Sequence, residues 1–297
     1  MFFDQALRWI DSRRADGRPF FALVTPNAAH DPHVVPEELW KAVLPRVAGR
    51  RNAAELAKFL AMVENIDANF GRLLGRLDEW NLAGDTLVIY LAGDNGGTLG
   101  NQVFSAGLRG TKGGPYQGGT RTWTCWRWPG RIAGGKECPA LVSRIDVFPT
   151  LAEIAGAKLT PGVTKQVEGR SLKPLLDNPA AAWADRVLFT HLGRWKIGDE
   201  PSDHKFDGCA ARDCRFSLVN NRELYDLQAD PGETTNVIES HPEEAAKLRA
   251  AYDQWWTETR PLLVNEDAYK TAPRENPFRT LHEKQFGASR NTPPEER

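Results

Sequence analysis

The chain has no apolar run near the roughly 20 residues that a membrane span needs, no excess of either charge, few cysteines and no internal repeat. Each absence excludes something. Net charge is −1, from 38 basic and 39 acidic side chains. That balance gives no electrostatic reason to expect a nucleic-acid or anionic-membrane partner. The four cysteines, Cys125, Cys138, Cys209 and Cys214, do not form the paired Cys-x-x-Cys spacing of a zinc site. Cys209 and Cys214 are close enough in sequence to bridge a short loop in an oxidising compartment, and reduced thiols are equally consistent. Met1 to Ala6 lacks the basic start, long apolar core and cleavage site of a secretory leader, and reads more like the middle of a domain. The glycine-rich Gly110-Thr111-Lys112-Gly113 lacks the spacing of a nucleotide-binding P-loop.

What remains is an ordinary globular composition, 41% hydrophobic and 26% charged over 297 residues, enough for one large domain or one domain plus a small one. Apolar residues at helical spacing predict a helix from Phe3 to Asp16, ended by Gly17 and Pro19. Phe20 to Thr25 is a continuous apolar run and predicts a buried strand. Asn52 to Leu82 is the longest periodic segment, with Leu56, Leu60, Val63, Ile66, Phe70, Leu73, Leu74 and Leu77 on one face. Its Glu64, Asp67 and Asp78 read as solvated surface charges. Thr86 to Leu91 predicts a second buried strand, and Thr120 to Trp128 a third. Helix and strand alternate, the rhythm of an α/β fold with a largely parallel sheet. A helix follows at Ile145 to Ala155, which Asp146 is placed to cap.

The pattern changes near Asn178. Short strands at Val187–Thr190, Arg215–Val219 and Glu223–Leu227 predict a small antiparallel sheet, packed with a helix from Pro242 to Thr257. The expected organisation is residues 1–180 as part of an α/β domain, 181–262 as a small α+β subdomain and 263–297 as an extended or flexible tail.

Chemistry-bearing residues collect just past strand ends, where open α/β sheets place their sites. Asp94-Asn95-Gly96-Gly97 follows the second strand. A carboxylate beside a side-chain carbonyl suits Ca²⁺ or Mg²⁺, and the same four residues are also a strong hairpin-turn signal. Lys112, among Gly110, Gly113 and Gly114, is a compact cation suited to a sulfate- or phosphate-like anion. His30 and His33 follow the first run, in Asn27-Ala28-Ala29-His30-Asp31-Pro32-His33. They read either as surface residues or as hydrogen-bond donors and proton carriers.

The ordered set Asp94-Asn95-Gly96-Gly97, Leu108-Arg109-Gly110-Thr111-Lys112-Gly113, Tyr116-Gln117-Gly118-Gly119-Thr120-Arg121 and Trp128-Pro129-Gly130 resembles the second half of a type I sulfatase, of the arylsulfatase family. Glu168-Gly169-Arg170-Ser171-Leu172 fits the same pattern. Glu223-Leu224-Tyr225-Asp226-Leu227 with Asp230-Pro231-Gly232-Glu233-Thr234-Thr235-Asn236 resembles the C-terminal subdomain of bacterial sulfatases. The resemblance implies an alkaline-phosphatase-like α/β sandwich, incomplete at its N-terminus, with a small C-terminal antiparallel sheet plus helix. It implies sulfate ester hydrolysis with Ca²⁺, or another divalent cation, and a formylglycine. Asp94 and Asn95 would be metal ligands. Lys112 would hold the sulfate, and His30 would contact the ester near its leaving oxygen. His33 falls on a less constrained position. Aryl or carbohydrate sulfates are the implied substrates, and a periplasmic or extracellular setting the implied location. Phosphodiesterases and phosphonate hydrolases keep similar ligands, but the Lys112 loop with Tyr116-Gln117-Gly118-Gly119 favours sulfatases. The chain departs from the family at Ala29, where proline is usual, and at Thr122-Trp123.

One departure is larger. The family's Cys-x-Pro-x-Arg signature, its early Asp-Asp metal pair and the Lys and His that follow the nucleophile have no counterpart in the chain. Without the aldehyde hydrate there is no activated nucleophile. The expectation is therefore a C-terminal part of a sulfatase that lacks a partner N-terminal part. The alternative is an inactive remnant that binds sulfated ligands or a partner chain. Trp123, Trp126 and Trp128 are expected to pack on a strand face, though tryptophans also stack on sugar rings.

Overall fold

A computed structural model describes residues 1–263 and 265. In chain order the elements are α1 (Phe2–Arg13), α2 (Glu37–Val43), α3 (Ala53–Glu79), β1 (Val88–Leu91), α4 (Gln117–Thr120), β2 (Thr124–Arg127), α5 (Val147–Ile154), α6 (Pro161–Thr164), α7 (Lys173–Asp177), β3 (Leu188–His191), β4 (Cys209–Arg212), β5 (Phe216–Val219), β6 (Glu223–Asp226) and α8 (Pro242–Thr259).

The predicted long helix is α3. Its periodic face packs on α2, where Leu56, Ala57 and Ala61 meet Val43 and Val47 in a closed cluster. Towards the middle the face is shallower, and Val63 is exposed. Glu64, Asp67 and Asp78 lie in solvent, as their charge requires. The helix stops at Asn81, whose φ of 55° lets Leu82 N–H reach Leu77 C=O at 2.8 Å and Asn81 N–H reach Asp78 C=O at 3.0 Å. This left-handed stop turns the chain towards β1.

β1 pairs with β2 antiparallel, Val88 opposite Arg127 and Leu91 opposite Thr124. Two expectations are corrected here. All strand pairings among the described residues are antiparallel, so the largely parallel sheet is not seen. Phe20 to Thr25 joins no ladder, and Phe21 and Leu23 are 70% and 75% exposed. An apolar run becomes a buried strand only when neighbours supply hydrogen bonds along its edges and cover for its faces. Among the described residues no strand pairs with this run, and its cover is partial, with Trp9 lying edge-on to Phe20 at 6.1 Å. β1 itself is half-buried rather than buried. Trp123 stacks on Tyr90 of β1 at 4.9 Å and 6°, the strand-side contact expected of it, whereas Trp128 Nε1 donates to Gly84 C=O in the turn before β1.

The second body of packing is the four-stranded meander β3-β4-β5-β6. Asn220 and Asn221 hold left-handed φ of 49° and 53°, with Arg222 N–H on Val219 C=O at 3.0 Å, a tight turn whose twist suits the β5–β6 hairpin. One face of the meander packs on α8 through Leu218, Leu224, Leu248, Tyr252 and Trp256. β4 was not foreseen. Cys209-Ala210-Ala211-Arg212 carries no β-branched or aromatic residue, and its small side chains fit only because neighbouring strands bury them. Cys209 and Cys214 are both free thiols, so no bridge joins them.

Asp146 does not cap α5 as expected; its carboxylate is used elsewhere. Its Oδ2 accepts from Ser143 N–H at 2.7 Å, and its Oδ1 from Arg170 N–H at 2.8 Å. It makes no side-chain bond as the residue before α5. Arg186 clamps both oxygens at 2.8 and 2.6 Å, and the pair is almost wholly buried. The tail beyond residue 265, including Glu275 to Arg297, lies outside the described residues.

Candidate active site

The ladder of β1 runs one residue past its end, Ala92 N–H donating to Trp123 C=O at 3.1 Å. Gly93-Asp94-Asn95-Gly96 then lies against the loop from Gly110 to Thr120. The approach is backbone on backbone. A Cβ on Gly96 would fall 1.7 Å from Gly118 C=O, and one on Gly118 would fall 2.3 Å from Gly110 C=O. No other residue type fits at either position. Lys112 N–H donates to Gly96 C=O at 2.7 Å, and Gly118 N–H to Arg109 C=O at 2.7 Å. The glycines thus hold Asp94, Asn95 and Lys112 together although 18 positions separate Asp94 from Lys112.

Lys112 Nζ donates to Asp94 Oδ2 in a direct ion pair. Asn95 Nδ2 donates to Gly119 C=O. That bond fixes the amide and leaves its oxygen as the acceptor end. The Lys112 hydrogen bond holds the Asp94 carboxyl below the usual carboxylate range, against a rise from partial burial, and the positive charges of Arg144 and His30 add to the lowering. His30 is 64% exposed, its Nδ1 lying 2.9 Å from Asp31 Oδ1. It therefore stands on the rim of the site, near enough for Asp94 to feel its charge. His33 points elsewhere, to Glu55 at 3.2 Å and edge-on to Phe59 at 5.9 Å.

Arg144 was missed in the sequence. Its Nη2 donates to Ala92 C=O at 3.0 Å, which places a third cation beside the Asp94 loop. It lies 52 positions from Ala92, and no spacing or local motif connects the two.

The donor set tests the expected calcium. Asp94 and Asn95 bring two oxygen-bearing side chains, and one carboxylate oxygen is already taken by Lys112. Ca²⁺ takes six to eight oxygens. Among the described residues no group of three or more His, Cys, Asp or Glu side chains converges to hold a metal. The described residues do not by themselves fit a complete calcium site.

The arrangement gathers one ammonium, one guanidinium and one imidazole around a carboxylate and an amide at a strand end. A sulfatase family model matches residues 1–157. The chain belongs to the sulfatase family. A second model, N-sulphoglucosamine sulphohydrolase, C-terminal, matches residues 115–254. The chain is 31% identical over 260 residues to a sulfatase of Formosa agariphila, covering 81% of this chain and 46% of that protein. It is 34% identical over 272 residues to mouse (Mus musculus) steryl-sulfatase, covering 81% and 41%. It is 30% identical over 259 residues to bovine (Bos taurus) arylsulfatase A, covering 80% and 48%. The chain thus spans about half the length of these sulfatases. Among solved structures, Ps i-CgsB in complex with k-i-k-neocarrahexaose superposes with a TM-score of 0.72 at 23% identity, over 92% of this chain and 59% of that one. A phosphonate monoester hydrolase from Silicibacter pomeroyi superposes with a TM-score of 0.55 at 23% identity, over 89% and 60%. These likenesses establish the alkaline-phosphatase-like fold, and the mixed helix-and-sheet architecture agrees with them.

Proposed function

We propose that the chain supplies one side of a site for hydrolysing sulfate esters. The observation that carries this is the Asp94–Lys112 pair, locked by glycine packing beyond the end of β1, in a member of the sulfatase family. When a sulfate group arrives, Lys112 turns from Asp94 to the sulfate oxygens and stabilises the charge that builds on them. Arg144 reinforces the positive field. His30, exposed on the rim, donates a proton or hydrogen bond to the departing oxygen. Asp94 and Asn95 would hold a divalent cation, calcium in the first instance, only if further oxygen donors came from a second polypeptide segment, and the cation would then supply positive charge against the sulfate.

The chain is expected to function with such a segment, which would also bring the nucleophile and cover the unpaired run from Phe20 to Thr25. Aryl and carbohydrate sulfates are the substrate classes considered, with the small sheet β3–β6 as a subdomain beside the site-bearing half.

The test is turnover of an aryl sulfate by the purified chain. The chain alone should be inactive, because none of its cysteines lies in a Cys-x-Pro-x-Arg context. Co-expression with an N-terminal sulfatase segment carrying that motif should restore turnover, and Lys112→Ala should abolish the restored activity. Turnover by the chain alone at a rate typical of sulfatases would overturn the requirement for a second segment. The incomplete donor set favours a second reading, binding of sulfated ligands without turnover. That reading is the one left if sulfate binds and co-expression restores nothing.

A further inference from the structure

Glu233 is the buried ionisable group that the proposed chemistry does not use. It lies in the turn after β6, its side chain is fully buried, and its φ is 54°. A non-glycine residue adopts that conformation only when its surroundings impose it. Asp230 does so. Its Oδ2 accepts from Thr234 N–H at 2.7 Å and from Thr235 N–H at 2.8 Å, which pins the turn.

The Glu233 carboxylate crosses to the other half of the molecule. Its Oε2 accepts from the Gln117 N–H at 2.6 Å, across 116 positions of sequence. Gln117 opens α4, whose Gly119 C=O holds Asn95 and whose Gly118 C=O abuts Gly96. Gly96 C=O in turn accepts from Lys112 N–H. Arg109, at the start of the same loop, donates to Glu233 C=O at 3.1 Å and to Tyr225 Oη at 2.7 Å. The side chain of Gln117 donates to Pro231 C=O at 2.8 Å. Burial pushes the Glu233 carboxyl up, while the Gln117 N–H and the charges of Arg212 and Arg109 oppose the rise. A carboxylate is costly to bury, and here Oε1 is buried with no hydrogen-bond partner among the described residues while Oε2 is held by the Gln117 N–H.

We propose that Glu233 is a positioning residue: it fixes the Gly110–Thr120 loop from the C-terminal sheet and thereby sets where Lys112 and Asn95 stand. The sheet β3–β6 is then a structural part of the anion site. The claim about sulfate rests on the proposed function; the claim about the loop does not.

Two readouts on the full chain separate them. The first is amide hydrogen exchange at Lys112, Gly118 and Gly119. Glu233→Ala should speed exchange there by about tenfold or more, because local opening loses its restraint. Glu233→Gln, which keeps a carbonyl acceptor, should recover most of the protection. Leu248→Ala, which loosens the β5–α8 core without touching the loop, is the control. It should lower thermal stability and leave those amides unchanged. If Glu233→Ala fails to fold, Gln117→Pro removes the same hydrogen bond from the donor side, and Tyr116 already has the extended ψ of 166° that a following proline requires. Unchanged exchange in Glu233→Ala, or equal acceleration in Leu248→Ala, would overturn the proposal.

The second readout is titration with inorganic sulfate. If the wild-type chain binds, Glu233→Ala should raise Kd by about tenfold or more and Leu248→Ala should not. Wild-type binding with no change in Glu233→Ala overturns the positioning role. A wild-type chain that binds no sulfate defeats the proposed function, and the exchange result still decides the role of Glu233.

Discussion

Lys112 Nζ donates to Asp94 Oδ2, so the cation and the carboxylate of the candidate site neutralise each other in the absence of ligand. Both side chains are about half exposed, and neither is trapped. An exposed pair of this kind contributes no more than about 1 kcal/mol to stability. Under the proposed function it is a resting contact with which a sulfate oxygen would exchange.

The Asp94 carboxyl should titrate below the ordinary value of about 3.9, because Lys112 holds its charged form. A depressed folded-state value means that the pair's stabilisation is present above the unfolded value and is lost as pH falls through the folded one. Side-chain carboxyl NMR should show the Asp94 midpoint rising towards the ordinary value in Lys112→Ala. An unmoved midpoint would mean that Lys112 is not its partner in solution.

The Arg186–Asp146 pair makes the opposite case. Its side chains are 7% and 0% exposed, and the contact is bidentate. Removing Arg186 leaves a buried carboxylate without its cation, which costs about 3–5 kcal/mol. Urea unfolding of Arg186→Ala should show a loss of that size. A loss under about 1 kcal/mol would mean that water reaches Asp146 in the variant.

The cysteines report on the second sheet. Cys125, Cys138 and Cys214 are exposed and Cys209 is buried in β4. Burial also pushes the Cys209 thiol up, disfavouring the reactive thiolate. A thiol reagent should modify Cys125, Cys138 and Cys214 in the folded chain and reach Cys209 only on unfolding. Modification confined to Cys125 and Cys138 would indicate a Cys209–Cys214 bridge instead.

The elements that sequence reasoning reached are those whose packing partners are local or periodic. The span of α3 follows from its apolar period, the β5–β6 hairpin from two runs around Asn220-Asn221, and α8 from its own pattern. The run from Phe20 to Thr25 was misjudged because hydrophobicity says that a segment wants cover, not that cover is present. β4 was invisible because alanines signal a strand only through their neighbours. Within the site, Asp94, Asn95, Lys112 and His30 were legible through family resemblance, since strand-end position alone left a plain turn equally open. Arg144 and Glu233 were not legible. Arg144 meets Ala92 C=O and Glu233 meets the Gln117 N–H, backbone groups far away in sequence, and such contacts leave no local spacing to read.

The most direct test of the account is calorimetric titration of inorganic sulfate into the full chain at low ionic strength, for the wild type and Lys112→Ala. The account predicts saturable binding by the wild type and a loss of at least about tenfold in affinity in Lys112→Ala. Identical isotherms for the two proteins, or no binding by the wild type, would contradict it.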